Sequence, residues 1–146
     1  MNVYFAASVS AGRDFEKYNH EIAKILEEMG HDVLSKHVVD WRKQLQFRKK
    51  AKKSKSYNKY ISAHDRKMMN KADIVVAEVS QPSHGVGFEI CYGAYVLGIP
   101  VVCLKHKSAG KITPTLVGDT SIYLDCYFYQ DDNIEKVLTR ALKRIS

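Results

Sequence analysis

The period of apolar positions changes repeatedly along the chain, and each change marks a switch between strand and helix. Residues 2–7 are a short apolar run and predict a strand. Residues 8–13 are small and predict a loop. Over 14–29, Phe15, Tyr18, Ile22, Ile25, Leu26 and Met29 form one helical stripe, and Gly30 supplies the stop. Residues 32–35 predict a second strand. A helix running through residue 71 precedes a strongly apolar third strand over 73–79. Residues 80–87 read as a loop and 88–97 as a helix ending near Gly98. A fourth strand is expected over 100–104. A loop containing Thr113 then leads to a fifth strand near 121–125 and a closing helix over 133–145. No internal repeat is visible.

Strands alternating with helices predict an α/β fold whose parallel sheet is covered on both faces. Five strands with right-handed crossovers suggest a doubly wound, flavodoxin-like sheet in the order 2-1-3-4-5. The switch point then falls between strands one and three. The loops over 8–13 and 80–87 line the crevice there, so the site is located before any chemistry is considered.

Composition adds one domain, spanning 1–146, as the expected organisation. It excludes disordered and collagen-like classes. No apolar run reaches the length of a membrane span. The N-terminus lacks a basic leader followed by an apolar core, so a cytoplasmic protein is expected. Cys91, Cys103 and Cys126 form no C-x-x-C, and the histidines form no H-x-x-x-H, so neither a metal nor a cofactor is predicted.

The formal charge of +7 is unevenly spread. Residues 42–59 hold nine Lys/Arg and no acid, and the remainder has 14 Lys+Arg against 16 Asp+Glu. Such an insertion repels itself and is expected to be extended or mobile. Three readings stay open: a solvated loop or helix face, a phosphate-attracting lid, or a nucleic-acid arm or nuclear localisation signal. Phe47, Tyr57 and Tyr60 could stack on bases, which is weak support for the last.

Two carboxylates break the local pattern. Glu89 is the single charged side chain between Val79 and Leu104. It is expected in the first turn of a buried helix that opens onto the crevice, where the helix terminus would keep it ionised. Asp65 shares a helical face with Ile61, Met68 and Ala72, a face that must pack on the sheet. The loop SQPSHGVG and the facing Ser8, Ser10, Gly12 and Arg13 offer hydroxyls and backbone amides to an anion. The dinucleotide fingerprint fails because Ile90 stands where its last glycine belongs, and no G-K-[ST] is present. A small phosphorylated or sugar ligand fits these features.

At these residues a family resemblance emerges. KADIVVAEVSQPSHGVGFE, over 71–89, closely resembles the signature of 2′-deoxynucleoside 5′-phosphate N-hydrolases, which belong with the nucleoside 2-deoxyribosyltransferases. VYFAASVSAGRD, over 3–14, is similar to the family's opening motif, and VLSKHV, over 33–38, to its second. The resemblance runs through most of the chain apart from the basic insertion. It implies hydrolysis of the N-glycosidic bond of a nucleoside monophosphate to free base and sugar phosphate. By this resemblance Glu89 is the nucleophile, forming a glycosyl-enzyme ester that water resolves. Asp65, eight residues before Asp73, would hold or protonate the leaving base. Tyr4, expected at the end of the first strand, would orient Glu89. Ser83 and Gly85 match the phosphate loop, with His84 between them as a further candidate, and Ser8 and Val9 belong to the matching first loop. Thr113 aligns with a serine that the family supplies from a partner subunit, so a homodimer is expected.

The first loop departs from the family where Ser10 replaces an arginine, and His84 stands where leucine is usual. Both changes bear on phosphate binding. A base-exchanging deoxyribosyltransferase is the alternative within the same chemistry. A nucleic-acid-binding module using residues 42–59 is the alternative of another class, and it leaves Glu89 and Asp65 unexplained.

Overall fold

The computed structural model describes residues 1–9 and 14–145. Its sheet contains β1 (Asn2–Ala6), β2 (Asp32–Val33), β3 (Ile74–Glu78), β4 (Val101–His106) and β5 (Leu124–Tyr129). All pairings are parallel and the order is β2-β1-β3-β4-β5, as the alternation predicts. The helices are α1 (Glu16–Glu28), α2 (Lys36–Val39), α3 (Trp41–Lys52), α4 (Tyr57–Met69), α5 (His84–Cys91), α6 (Pro114–Val117) and α7 (Ile134–Lys143). A π-helical turn, Tyr92–Leu97, prolongs α5.

Alternation along β1 sends Val3 and Phe5 to one side of the sheet and Tyr4 and Ala6 to the other. Val3 and Phe5 pack with Tyr18, Ile22 and Leu26 of α1 and Leu138 and Ala141 of α7. Tyr4 and Ala6 pack with Met69 of α4 and Val86 and Ile90 of α5. The central strands β3 and β4 are buried throughout, which explains the apolar runs 74–77 and 101–104 that open them.

Gly30 takes φ +84 just beyond α1, the left-handed position for which glycine is suited. Strand β2 stops at Val33, two residues short of expectation. There the buried Ser35 hydroxyl accepts from Phe5 N (2.8 Å) and donates to Phe5 O (2.6 Å), replacing the next ladder bonds. Strand β5 lies later than expected and runs opposite all of β4, with Val101 facing Leu124 and His106 facing Tyr129.

The basic segment departs from its expected extended state. Most of it is α3, which begins at Trp41. The Asp40 carboxylate caps that helix, accepting from the amides of Arg42 (2.9 Å) and Lys43 (3.3 Å). These bonds hold the Asp40 pKa below the usual carboxylate range. The Phe47 ring anchors the helix inward, with its centroid 4.5 Å from those of both His37 and His64. Capping and one aromatic anchor thus outweigh repulsion between lysines that all face water.

Candidate active site

Tyr4 lies at the middle of β1, rather than its end, on the sheet face covered by α5. Its hydroxyl donates to Glu89 Oε1 at 2.6 Å, joining groups 85 residues apart in the chain. Helix α5 starts four residues earlier than expected, at His84, because Ser83 supplies the cap and its Oγ accepts from Val86 N at 3.4 Å. Glu89 therefore sits in the second turn and not the first. Its neighbours at i−4 and i+4 are Gly85 and Gly93, and those at i−3 and i+3 are Val86 and Tyr92.

This shift overturns the expectation that the helix terminus keeps Glu89 ionised. The terminal field fades within one turn. Burial wins, with the charge of Asp65 adding to it, and raises the Glu89 pKa to about 7 against the opposing hydrogen bond from Tyr4. Burial first, and then the charges of Glu89 and Asp65, push the Tyr4 pKa upward, so its proton stays available to Glu89. The Glu89 carboxyl is thus poised near neutrality, free to act in either ionisation state.

Helix α4 carries Asp65 to the same side of the sheet, where Met68, Met69 and Ala72 pack below it. Asp65 is half-buried, with His37 Nε2 at 3.6 Å and His64 Nδ1 at 3.5 Å from its Oδ1. Burial lowers the His64 pKa despite the hydrogen bond to Asp65. Sequence reasoning missed both histidines. They lie 27 residues apart on different helices, and no local spacing joins them.

Ser83, His84 and Gly85 open α5. With Val86 N bonded to Ser83 Oγ, the amides of His84 and Gly85 are the open donors of that turn among the described residues. Ser8 and Val9 lie just beyond β1, with Val9 exposed. Ser10, Gly12 and Arg13 lie outside the described residues. Thr113 is exposed and caps α6 by accepting from Thr115 N, and no contact among the described residues ties it to Glu89.

The helix bearing Glu89 is not buried all round, as its apolar sequence suggested. Phe88, Tyr95 and Val96 are 55–64% exposed on its outer face. A further carboxylate, Glu78 at the end of β3, is fully buried and escaped notice. It accepts hydrogen bonds from the hydroxyls of Ser80 and Tyr129, and Ser80 Oγ accepts from His106 N at 2.7 Å. This network ties together the ends of β3, β4 and β5.

Comparison with known proteins gives consistent results. The family model described as nucleoside 2-deoxyribosyltransferase matches residues 3–119. A 5-hydroxymethyl-dUMP N-hydrolase of Mus musculus is 30% identical over 142 residues, covering 95% of this chain and 78% of that one. One from Tetraodon nigroviridis is 32% identical over 143 residues, covering 94% of each. Among solved structures, a Clostridium botulinum CMP N-glycosidase superposes with TM-score 0.52 at 16% identity. That superposition covers 98% of this chain and 99% of the other, a likeness of fold.

Proposed function

The chain belongs to the nucleoside 2-deoxyribosyltransferase family, and on that premise we propose that it hydrolyses the N-glycosidic bond of a nucleoside 5′-monophosphate. The observation that carries this reading is the short bond from Tyr4 to Glu89, in a carboxyl whose pKa also feels Asp65. The relatives named as N-hydrolases support nucleotide hydrolysis as the overall reaction.

In the proposed mechanism the ionised Glu89 attacks C1′ of the sugar. The new C–O bond forms as the C1′–N bond breaks, and the base leaves with a proton from Asp65. Water then attacks C1′, giving its proton to Asp65 and releasing Glu89 and the sugar phosphate. Tyr4 aims the Glu89 oxygen that accepts its hydrogen bond, leaving the second oxygen for attack. The phosphate rests against the amides of His84 and Gly85 and the hydroxyl of Ser83, where the helix N-terminus favours an anion. Ser8 and Val9 line the facing side, with Ser10, Gly12 and Arg13 completing that loop.

A homodimer is part of the proposal. Phe88, Tyr95 and Val96 form an exposed apolar face on the helix that carries the nucleophile. A second copy packed on this face is the proposed source of the Thr113 that the family resemblance assigns to the partner subunit. Light scattering tests this, with a dimer expected for the native chain and a monomer for Val96→Asp. A native chain that is monomeric at micromolar concentration contradicts it.

The activity is tested by a screen of ribo- and deoxyribonucleoside monophosphates, read by base release. At least one is expected to yield free base and sugar phosphate, and the corresponding nucleoside to react at least tenfold more slowly. Adding a second base separates the transferase alternative, since a new nucleotide would appear. No release from any monophosphate would overturn the proposal.

A further inference from the structure

No local motif marks a metal site in this sequence, yet the fold brings His37, His64 and Asp65 together. One ligand atom from each lies within 4.8 Å of the others. The distances from Asp65 Oδ1 are 3.6 Å to His37 Nε2 and 3.5 Å to His64 Nδ1. Both are long for hydrogen bonds. They are close to the separation of about 3.4 Å between ligands of a tetrahedral ion with bonds of about 2.0–2.1 Å.

The three side chains are 15–29% exposed, so an ion can enter without unfolding anything. The Phe47 ring packs on both imidazoles, and Tyr60 stands behind it at 5.8 Å. This apolar wall restricts how the imidazole rings can turn. It also gives α3 a purpose beyond charge, since the basic helix holds two histidines in place.

We propose that His37, His64 and Asp65 form a binding site for a divalent transition ion of the Zn²⁺ class. Two imidazoles and one carboxylate suit Zn²⁺ or Co²⁺ and are poor ligands for Mg²⁺ or Ca²⁺, which favour all-oxygen shells. Three protein ligands leave a fourth position for water. The bound ion takes the Asp65 carboxylate. Resting on the function proposed above, it therefore inhibits nucleotide hydrolysis by removing the group that serves the leaving base.

Cobalt is the direct probe, because low-coordinate Co²⁺ absorbs in the visible. Titrating the tag-free full chain with Co²⁺ should give a saturable band at one ion per chain. Zn²⁺ should displace it and Mg²⁺ should not. His64→Gln and His37→Gln should each weaken binding at least tenfold. Absence of a saturable band, or binding by both variants as tight as the native chain's, overturns the site. Hydrolysis is measured separately, each protein against its own metal-free rate. Zn²⁺ should inhibit the native chain at concentrations that leave His64→Gln active. Binding without inhibition upholds the site and counts instead against Asp65 as the leaving-group acid.

Discussion

At the scale of single residues, the account turns on one carboxyl held at an unusual pKa. Glu89 is raised to about 7 in the folded chain, against about 4.5 unfolded, with burial as the largest cause. The folded state therefore binds a proton more tightly over this window, and stability falls as pH rises from about 4.5 to 7. Glu89→Gln removes that penalty. Urea melts should find the variant more stable than the native chain by about 1–3 kcal/mol at pH 8, with the gain disappearing near pH 4.5. The same ionisation should govern catalysis: the reacting form needs Glu89 ionised while the proton of the pair sits on Asp65, so kcat/KM should fall as pH rises through about 7 in the native enzyme. A flat profile between pH 6 and 8 would count against Glu89 as nucleophile. Glu89 and Asp65 were legible because each places a charge on an otherwise apolar face. His37 and His64 were not, because only the tertiary fold brings them together. Glu78 was hidden at the end of a strand whose apolar run, 74–77, dominates its reading.

At the scale of elements, two helices were misjudged for opposite reasons. The start of α5 reads as a loop because Gly85 and Gly87 have poor helix propensity. Ser83 as the cap, with Val86 and Ile90 anchored in the core, outweighs that cost. The basic run reads as extended because its lysines repel, yet Asp40 caps it and Phe47 anchors it. The strands were clearer, since β3 and β4 are buried on both faces and open on four apolar residues each. Gly93 shows how closely the π-helical turn meets this sheet. An added Cβ would lie 2.9 Å from Val75 Cγ2 and 3.1 Å from Val101 Cγ2. Gly93→Ala should destabilise by about 1–3 kcal/mol, as overpacking does. Because Glu89 lies one turn away, the same variant should also lose activity at temperatures where it remains folded. A melting temperature equal to the native one would contradict the close approach.

For the whole molecule, the net charge of +7 belongs to one helix pair and not to the fold at large. Helix α3 reaches the site through Phe47, which touches the histidines beside Asp65. Its lysines thus set a positive field near the crevice that should attract an anionic nucleotide. Replacing Lys49, Lys50, Lys52 and Lys53 by Gln should lower kcat/KM for the monophosphate about threefold to tenfold at low salt. The difference should vanish at high ionic strength, where such fields are screened. If the variant instead retains full kcat/KM and loses affinity for DNA or RNA, the nucleic-acid reading gains. The sheet order was legible from alternation alone. The exposed apolar face along α5 and the π-helical turn was not, because a sequence apolar all round reads the same for a buried helix and for one with an exposed side.

The central claim is that Glu89 makes and breaks the bond to the sugar. Base release from the preferred nucleoside monophosphate, compared between the native chain and Glu89→Gln, tests it most directly. The account predicts a loss of at least about a thousandfold in kcat, in a protein with an unchanged circular dichroism spectrum and stability at pH 8 no lower than native. Hydrolysis by Glu89→Gln within tenfold of the native rate would contradict it.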